Sequence, residues 1–329
     1  MLFRSPGGAQ TLVKNQRVLP GKRIVLAGSG PFLLPVAATL IDAGARLAGI
    51  CEVRSAWRGL GELPALLGHG ERLREGWHYW RTIRRAGVPL RFGHVVVRAE
   101  GQDAVERVVL AQCRTDGGAI PGTEVTVDAD ALCVGYGFMP SVQLTRHLGC
   151  AHRHDALRGG WEVEHDADMQ TAVPGVHVAG EVAGIGGAHA AMAEGEIAGL
   201  CAARGLGLPI DAAALAAARA RRTRHRAFAD TMHRMFPVPA SLYAAIPDAT
   251  VVCRCEEVTA GSLRKAATAA APDVNHVKGV TRCGMGYCQG RTCGEMAEAV
   301  LAASLGLARG SVDRKSTRLN SSHGYISYA

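Results

Sequence analysis

Aromatic side chains make up only 5% of the 329 residues, and no apolar run is long and unbroken enough to span a bilayer, which takes about 20 residues. The best candidate, IVLAGSGPFLLPVAATLI at residues 24–41, is interrupted by Gly and Pro. No secretory signal is present, so a reducing cytoplasmic setting is expected and a disulfide framework is not. A lack of order is equally excluded. With 48% apolar residues, 41 Gly and 20% charged residues, the composition fits an Ala/Gly-rich α/β protein of roughly two domains. The net charge of +8 is spread along the chain. Its dense spots, Arg81–Arg85 and Arg219–Arg226, read as solvated helix faces, and no nucleic-acid partner is expected.

The two ends differ from the rest. DRKSTRLNSSHGYISYA, residues 313–329, is polar and patternless, and Asp313–His323 back-translates into the start of a common sequencing adapter. Leu2–Ser5 back-translates into the close of its paired adapter. Function is therefore read from residues 6–312, with both natural termini expected to be missing.

Residues 21–52, GKRIVLAGSGPFLLPVAATLIDAGARLAGICE, read as strand, Gly turn, helix and second strand. Gly28 and Gly30 suit a turn that brings a phosphate to a helix N-terminus, and Glu52 closes the second strand where an acid can bond a ribose hydroxyl. The third Gly of that pattern is replaced by Leu33. Glu52 favours NAD over NADP, although Arg54 stands beside it. A helical stretch follows with His78, Tyr79 and Trp80, whose spacing suggests core packing. Two alternating stretches then suggest a small antiparallel layer. VTVDADALCVGYGFMPS, residues 125–141, returns to a buried strand. Residues 169–199 read as a turn, a short strand VHVAG, the acid Glu181, a turn with Gly186 and Gly187, and a helix. Such an order outlines a site for a polyol and an anion, or an ordinary acidic N-cap. Residues 208–248 are helical and rich in Arg and Ala.

Sulfur is concentrated late in the chain. Five of ten cysteines lie between 253 and 293, while Cys51, Cys113, Cys133, Cys150 and Cys201 sit in apolar settings that suit buried free thiols. Cys253 and Cys255 form C-x-C, and Cys288 and Cys293 form C-x4-C. Four thiolates from two loops suit zinc or an iron–sulfur cluster. The C-x-C spacing is unusual for zinc, whose paired cysteines usually stand two to four apart. Arg254, Lys265, Lys278, Arg282 and Arg291, with amides around Gly284, Gly286 and Gly290, would stabilise an anionic centre of either kind. Cys283 is read as a neighbour that does not ligate.

CRCEEVT followed by KGVTRCGMGYCQGRTCG resembles the [2Fe–2S] module of bacterioferritin-associated ferredoxin (BFD) type. The variant is the one fused to FAD/NAD-binding subunits of amine and imino-acid dehydrogenases, such as the A or α subunits of opine oxidase and hydroxyproline dehydrogenase and the B subunits of hydrogen cyanide synthase. GGAQTLVKNQRVLPGKRIVLAGSGP and VAGEVAGIGGAHAAMAEGEIAG extend the resemblance to residues 7–308. It implies an α/β, two-dinucleotide-binding-domain flavoprotein, Rossmann-like, with its FAD domain incomplete and a small α-rich [2Fe–2S] module attached. The implied domains are a linker at 6–20, an NAD-type nucleotide-binding domain at 21–125, the C-terminal part of the FAD domain at 126–205, a helical linker at 206–248 and the BFD-like domain at 249–308. By that likeness Gly28, Gly30 and Glu52 belong to a nucleotide site for NAD or another adenine nucleotide. Glu181, Gly186 and Gly187 belong to the flavin end, and Cys253, Cys255, Cys288 and Cys293 hold the cluster. The strand and Gly loop that grip the ADP half of FAD are absent, so this stretch alone is expected to bind FAD poorly.

The resemblance implies an electron-transferring subunit of a heteromeric dehydrogenase or oxidase acting on an amino acid, imino acid or opine. It would work with an electron acceptor and, as its hetero-oligomeric partner, a catalytic flavoprotein subunit, with any membrane attachment peripheral and through that partner. Two rivals are a stand-alone NAD(P)H-dependent flavin reductase of disulfide-reductase type, marked by flavin reduction with NADH alone, and a zinc-bound nucleotide-sensing module, marked by its metal. No catalytic acid, base or nucleophile stands out.

Overall fold

A computed structural model describes residues 3–267 and 274–312. Leu2 and the adapter-like residues 313–329 lie outside them. The chain divides into two units, residues 1–138 with 230–239, and residues 139–229 with 240–329.

The first unit begins with β1 (Phe3–Arg4) and α1 (Pro6–Gln16). Ser5 caps α1 by accepting from the Gly8 amide at 2.9 Å, with Pro6 in the first turn, and the helix stops at Arg17 in the left-handed region. Then come β2 (Arg23–Gly28), α2 (Leu33–Asp42), β3 (Arg46–Glu52), a 3-10 turn at Ala56–Glu62, α3 (Leu63–Leu66), α4 (Gly70–Arg85) and β4 (Leu90–Phe92). The remaining strands are β5 (His94–Glu100), β6 (Arg107–Gln112), β7 (Val125–Asp128) and β8 (Ala131–Gly135). A parallel sheet runs in the order β1-β8-β2-β3-β4, and β5-β6-β7 forms an antiparallel sheet.

The unbroken apolar run of β2 follows from its place. Ile24 and Leu26 pack with Val36 and Leu40 of α2 and Ile83 of α4, while Val25 and Ala27 pack with Val108, Leu110 and Val127 of the antiparallel sheet. Successive residues of a strand face opposite sides, so a central parallel strand covered on both faces must be apolar throughout.

Three particulars differ from the sequence-based reading. The sequence pattern ends the nucleotide-type domain at 125, whereas β8 pairs with β2 from Ile24↔Ala131 to Gly28↔Gly135 and carries this unit on to Phe138. Residues 6–16 form a helix on the sheet rather than a linker, with Ala9 fully buried. Phe3 and Arg4 pair with Leu132 and Cys133 at the edge of the parallel sheet.

The second unit contains α5 (Gln143–His147), the hairpin of β9 (His152–Asp155) and β10 (Gly160–Val163), a 3-10 turn at Gly180–Ala183 and α6 (Ala188–Gly205). α7 (Ala212–Met235) follows, its residues from Asp230 belonging to the first unit. Then come α8 (Ser241–Ala244), β11 (Val251–Cys253), β12 (Val258–Thr259), α9 (Ala260–Ala266), α10 (Val274–Thr281) and α11 (Gly294–Leu305). VHVAG is not a ladder strand: among the described residues it pairs only through the bridge Gln170↔His177. The last five elements and the loop before α11 share a small core of Val252, Leu263, Val277, Val300 and Leu301. No helix among the described residues is long and apolar enough to cross a membrane.

Candidate cofactor and cluster sites

The Gly turn after β2 is shaped by close approach. A Cβ on Gly28 would lie 1.8 Å from the Gly135 carbonyl oxygen, and Gly30 has φ +108°, so both positions require glycine. The Ser29 amide donates to the Gly135 carbonyl at 3.0 Å. The Gly30 amide donates to Glu52 Oε2 at 2.8 Å, and the Arg54 amide to Glu52 Oε1 at 3.0 Å. Pro31 has no N–H to offer. Of the donors usually aimed at a pyrophosphate in such a turn, those of Ser29 and Gly30 are thus engaged within the protein and one is missing. Residues 230–239 lie over the same turn. The Phe236 carbonyl accepts from Ser29 Oγ at 3.5 Å, and the Met235 carbonyl from Arg54 Nε at 3.4 Å.

Burial pushes the Glu52 carboxyl up to about 7, opposed by the hydrogen bonds from the Arg54 and Gly30 amides. An acid whose pKa is raised on folding holds its proton longer in the native state than in the unfolded one. Its contribution therefore favours folding at low pH and is lost as pH rises between the unfolded value, about 4.3, and about 7. The urea midpoint of the first unit is expected to fall across that window, and Glu52→Gln should flatten this part of the slope. An unchanged slope in the variant would remove Glu52 as its source.

Other side chains in this unit depart from expectation. His78 and Trp80 are exposed and Tyr79 is half-buried; Trp80 stacks on Trp77 with Arg84 above it, because α4 buries Ile83 instead. Cys51 and Cys133 are buried thiols, and burial pushes Cys51 up to about 12.

In the second unit Glu181, Gly186 and Gly187 lie on one turn before α6. Glu181 is exposed on the 3-10 turn, and Gly186 and Gly187 lead into α6, Gly187 with φ +77°. What holds this turn was not evident from the sequence. Glu194 of α6 is fully buried and accepts from the Gly180 amide at 2.9 Å, from Arg226 Nε at 2.6 Å and from Arg222 Nε at 3.2 Å. Arg226 also donates to the carbonyls of Gly184 at 2.8 Å and Ala183 at 3.2 Å. Glu162 of β10, 1% exposed, takes Arg153 Nε at 2.6 Å, and its other oxygen lies where a Cβ on Gly184 would stand, 2.1 Å away. The Arg219–Arg226 stretch is therefore not simply a solvated face. Arg222 and Arg226 turn inward to Glu194, Arg219 pairs with Asp168 and Arg221 with Glu196. Alternating one-sided burial of Arg has no distinctive sequence signature, which is why these residues were missed.

The cysteine module packs against the β9–β10 hairpin. Glu295 of α11 approaches Gly160, and a Cβ on Gly310 would stand 2.5 Å from His154 Cγ. Arg309 Nη2 reaches Glu295 at 3.3 Å, and the Gly310 amide donates to the buried Glu298 at 2.9 Å. Burial raises the Glu298 carboxyl.

Three of the five cysteine sulfurs in this module meet. Those of Cys253, Cys283 and Cys293, all buried, lie within 4.8 Å of one another. Cys255 is exposed and Cys288 half-buried, outside that inner group. Hydrogen bonds from the Thr292 amide first, then from the Thr292 side chain, the Gly290 amide and Cys255, bring the Cys288 thiol down to about 7. Cys293 is raised by its hydrogen bond with Cys283 and by burial. Cys283, expected as a neighbour of the ligands, lies in the inner group, where its amide donates to Thr281 Oγ1 at 3.2 Å and Arg282 before it adopts φ 64°.

The loop between α10 and α11 depends on close approach at three glycines. Gly284 and Gly290, both with positive φ, face each other, and a Cβ on Gly286 would strike Cys255 Cβ at 2.1 Å and crowd its sulfur at 3.2 Å. A buried sulfur trio with a second pair beside it matches the donor set of a thiolate-ligated binuclear cluster, which needs four.

A parallel sheet packed on an antiparallel layer, a Gly-rich turn leading into α6 and a group of buried thiols are the features of an FAD-dependent oxidoreductase with an iron–sulfur module. Residues 8–195 match the pyridine nucleotide-disulphide oxidoreductase family and residues 251–303 the BFD-like [2Fe-2S] binding domain. The chain belongs to the pyridine nucleotide-disulphide oxidoreductase family and carries a BFD-like domain after it. FAD and a [2Fe–2S] cluster are the cofactors of this class. The opine oxidase A subunit of Rhizobium meliloti (strain 1021) is 35% identical over 309 residues, covering 91% of this chain and 64% of the relative. The hydrogen cyanide synthase component HcnB of Pseudomonas aeruginosa is 36% identical over 296 residues, 87% of this chain and 62% of the relative. The chain thus spans just under two thirds of these relatives' length. The L-proline dehydrogenase structure from P. horikoshii shares the fold, with TM-score 0.58 at 19% identity over 95% of this chain and 52% of that one.

Proposed function

We propose that this chain is the electron-transferring subunit of a heteromeric dehydrogenase or oxidase that removes electrons from the C–N bond of an amino acid, imino acid or opine. The observation that carries the reading is the buried trio of Cys253, Cys283 and Cys293, in a module packed through Glu295 and Gly310 on the β9–β10 hairpin. Cys253, Cys255, Cys288 and Cys293 are the proposed cluster ligands, and Glu181, Gly186 and Gly187 the residues at the flavin. A cluster bound there accepts and releases one electron at a time. The chain's own groups supply the thiolates, exclude water through the core around Val300 and Leu301, and offset negative charge with Arg254, Lys265 and Arg291. The partner proposed is a catalytic flavoprotein subunit, which holds the substrate, with an electron acceptor beyond it and a cytoplasmic location.

The Gly28–Glu52 turn is proposed as the nucleotide site of the NAD type. Because the Ser29 and Gly30 amides are engaged and Pro31 has none, a dinucleotide there would be weakly held, which favours a relay over a reductase that consumes NAD(P)H.

Anaerobically reconstituted protein is expected to hold about two irons and two sulfides per chain, and dithionite reduction should yield the EPR signal of a one-electron-reduced [2Fe–2S] centre. One zinc per chain and no EPR signal would remove the proposal.

A further inference from the structure

A binuclear cluster has four cysteine positions, yet this module holds five cysteines, and three of their sulfurs lie within 4.8 Å of one another. The surplus lies at the buried end. Cys253, Cys283 and Cys293 are 1%, 5% and 2% exposed, and the Cys283 and Cys293 sulfurs are 4.0 Å apart. Cys255, exposed, lies against Gly286 of the same lobe that carries the half-buried Cys288, nearer the surface. If the outer pair serves one end of the cluster, the inner end needs two sulfurs and has three.

Cys283 and Cys293 reach this place from opposite ends of one loop. Cys283 follows α10, and Cys293 caps the start of α11. Between them the loop is pinched where Gly284 and Gly290 abut: a Cβ on either would come within 3.5 to 3.7 Å of the other's Cα. The pinch draws both cysteines to the same spot beside Cys253, while residues 285–289 form a lobe carrying Cys288. Neither sulfur is pointed to solvent, and each has the other as sulfur neighbour.

We propose that Cys283 and Cys293 are alternative ligands for one inner position of the cluster, the one not engaged remaining a thiol that donates an S–H hydrogen bond to the ligating sulfur. This rests on the [2Fe–2S] reading above. A thiol held against a ligating thiolate withdraws electron density from it and so raises the cluster's potential. The two cysteines thereby give the module a spare ligand and a potential-setting group in one place.

The test compares the full chain with its Cys283→Ser, Cys293→Ser, Cys283→Ser/Cys293→Ser and Cys253→Ser variants after anaerobic reconstitution with iron and sulfide. Iron and sulfide content, the EPR spectrum of the reduced protein and its midpoint potential are measured. Each single variant at 283 or 293 is expected to keep about two irons per chain, and the double variant and Cys253→Ser to lose nearly all. Cys293→Ser should show altered g-values, because the ligating sulfur has changed, and Cys283→Ala and Cys293→Ala, which remove the donor that a serine hydroxyl would replace, should have a more negative potential than the parent. Loss of iron in Cys293→Ser with a normal Cys283→Ser would overturn the proposal by making Cys283 a bystander. The converse pattern would overturn it by making Cys283 the sole ligand at that position. If Cys293→Ser does not fold, as judged by circular dichroism, Cys293→Ala carries the same comparison. Parent protein that takes up no iron would instead remove the cluster reading itself.

Discussion

Arg226→Met is expected to destabilise the second unit by about 3–5 kcal/mol, measured by chemical denaturation. Its guanidinium is the main partner of Glu194, a carboxylate with no exposure, and it also satisfies the Gly184 and Ala183 carbonyls. Met has similar length and none of the donors. Glu194 would keep Arg222 at 3.2 Å and the Gly180 amide, too little to compensate for a charge withdrawn from water. The pair was made at a desolvation cost, so removing both charges should hurt less than removing one. Arg226→Met/Glu194→Leu is therefore expected to recover part of the loss. A single variant within about 1 kcal/mol of the parent would show that Arg226 is not what holds the turn at Ala183 and Gly184.

Gly28→Ala is expected to cost the first unit about 3 kcal/mol or more. The new methyl would stand 1.8 Å from the Gly135 carbonyl oxygen, so β2 and β8 must separate where the Ser29 amide meets that same oxygen. The clash is with backbone, which cannot swing aside as a side chain does. Gly76 in α4 makes a control, since a Cβ there meets nothing within 4 Å. Gly76→Ala should stabilise by about 0.5–1 kcal/mol through the lower entropy of the unfolded chain. Equal effects at the two positions would contradict the close approach at Gly28.

Much of the first unit was legible along the chain. β2, α2 and β3 fall where the apolar runs and Gly44 place them, because a strand buried on both faces and a short amphipathic helix each leave a strong local pattern. The boundary at 138 was not legible, since parallel pairing of β8 with β2 joins segments about a hundred residues apart and nothing local records it. VHVAG has the composition of a strand, but composition does not supply a neighbour to pair with. Trp80 has the spacing of a core residue on a helix, yet α4 turns Ile83 inward.

The cysteines show the same division. Their number and crowding between 253 and 293 announce a thiolate-ligated centre from the sequence alone, as covalent composition cannot be altered by folding. The inner group was decided only by tertiary structure. Ligand count along the chain makes Cys283 a neighbour of the ligands without saying of which, and the pinch between Gly284 and Gly290, made of positive-φ backbone, puts it beside Cys253 and Cys293. Glu194 and Arg226 likewise read as ordinary helix charges until α6 and α7 pack together. Which groups a chain possesses is a local property; which of them lose their water and meet depends on the packing of distant segments, and that is where this protein's sites are made.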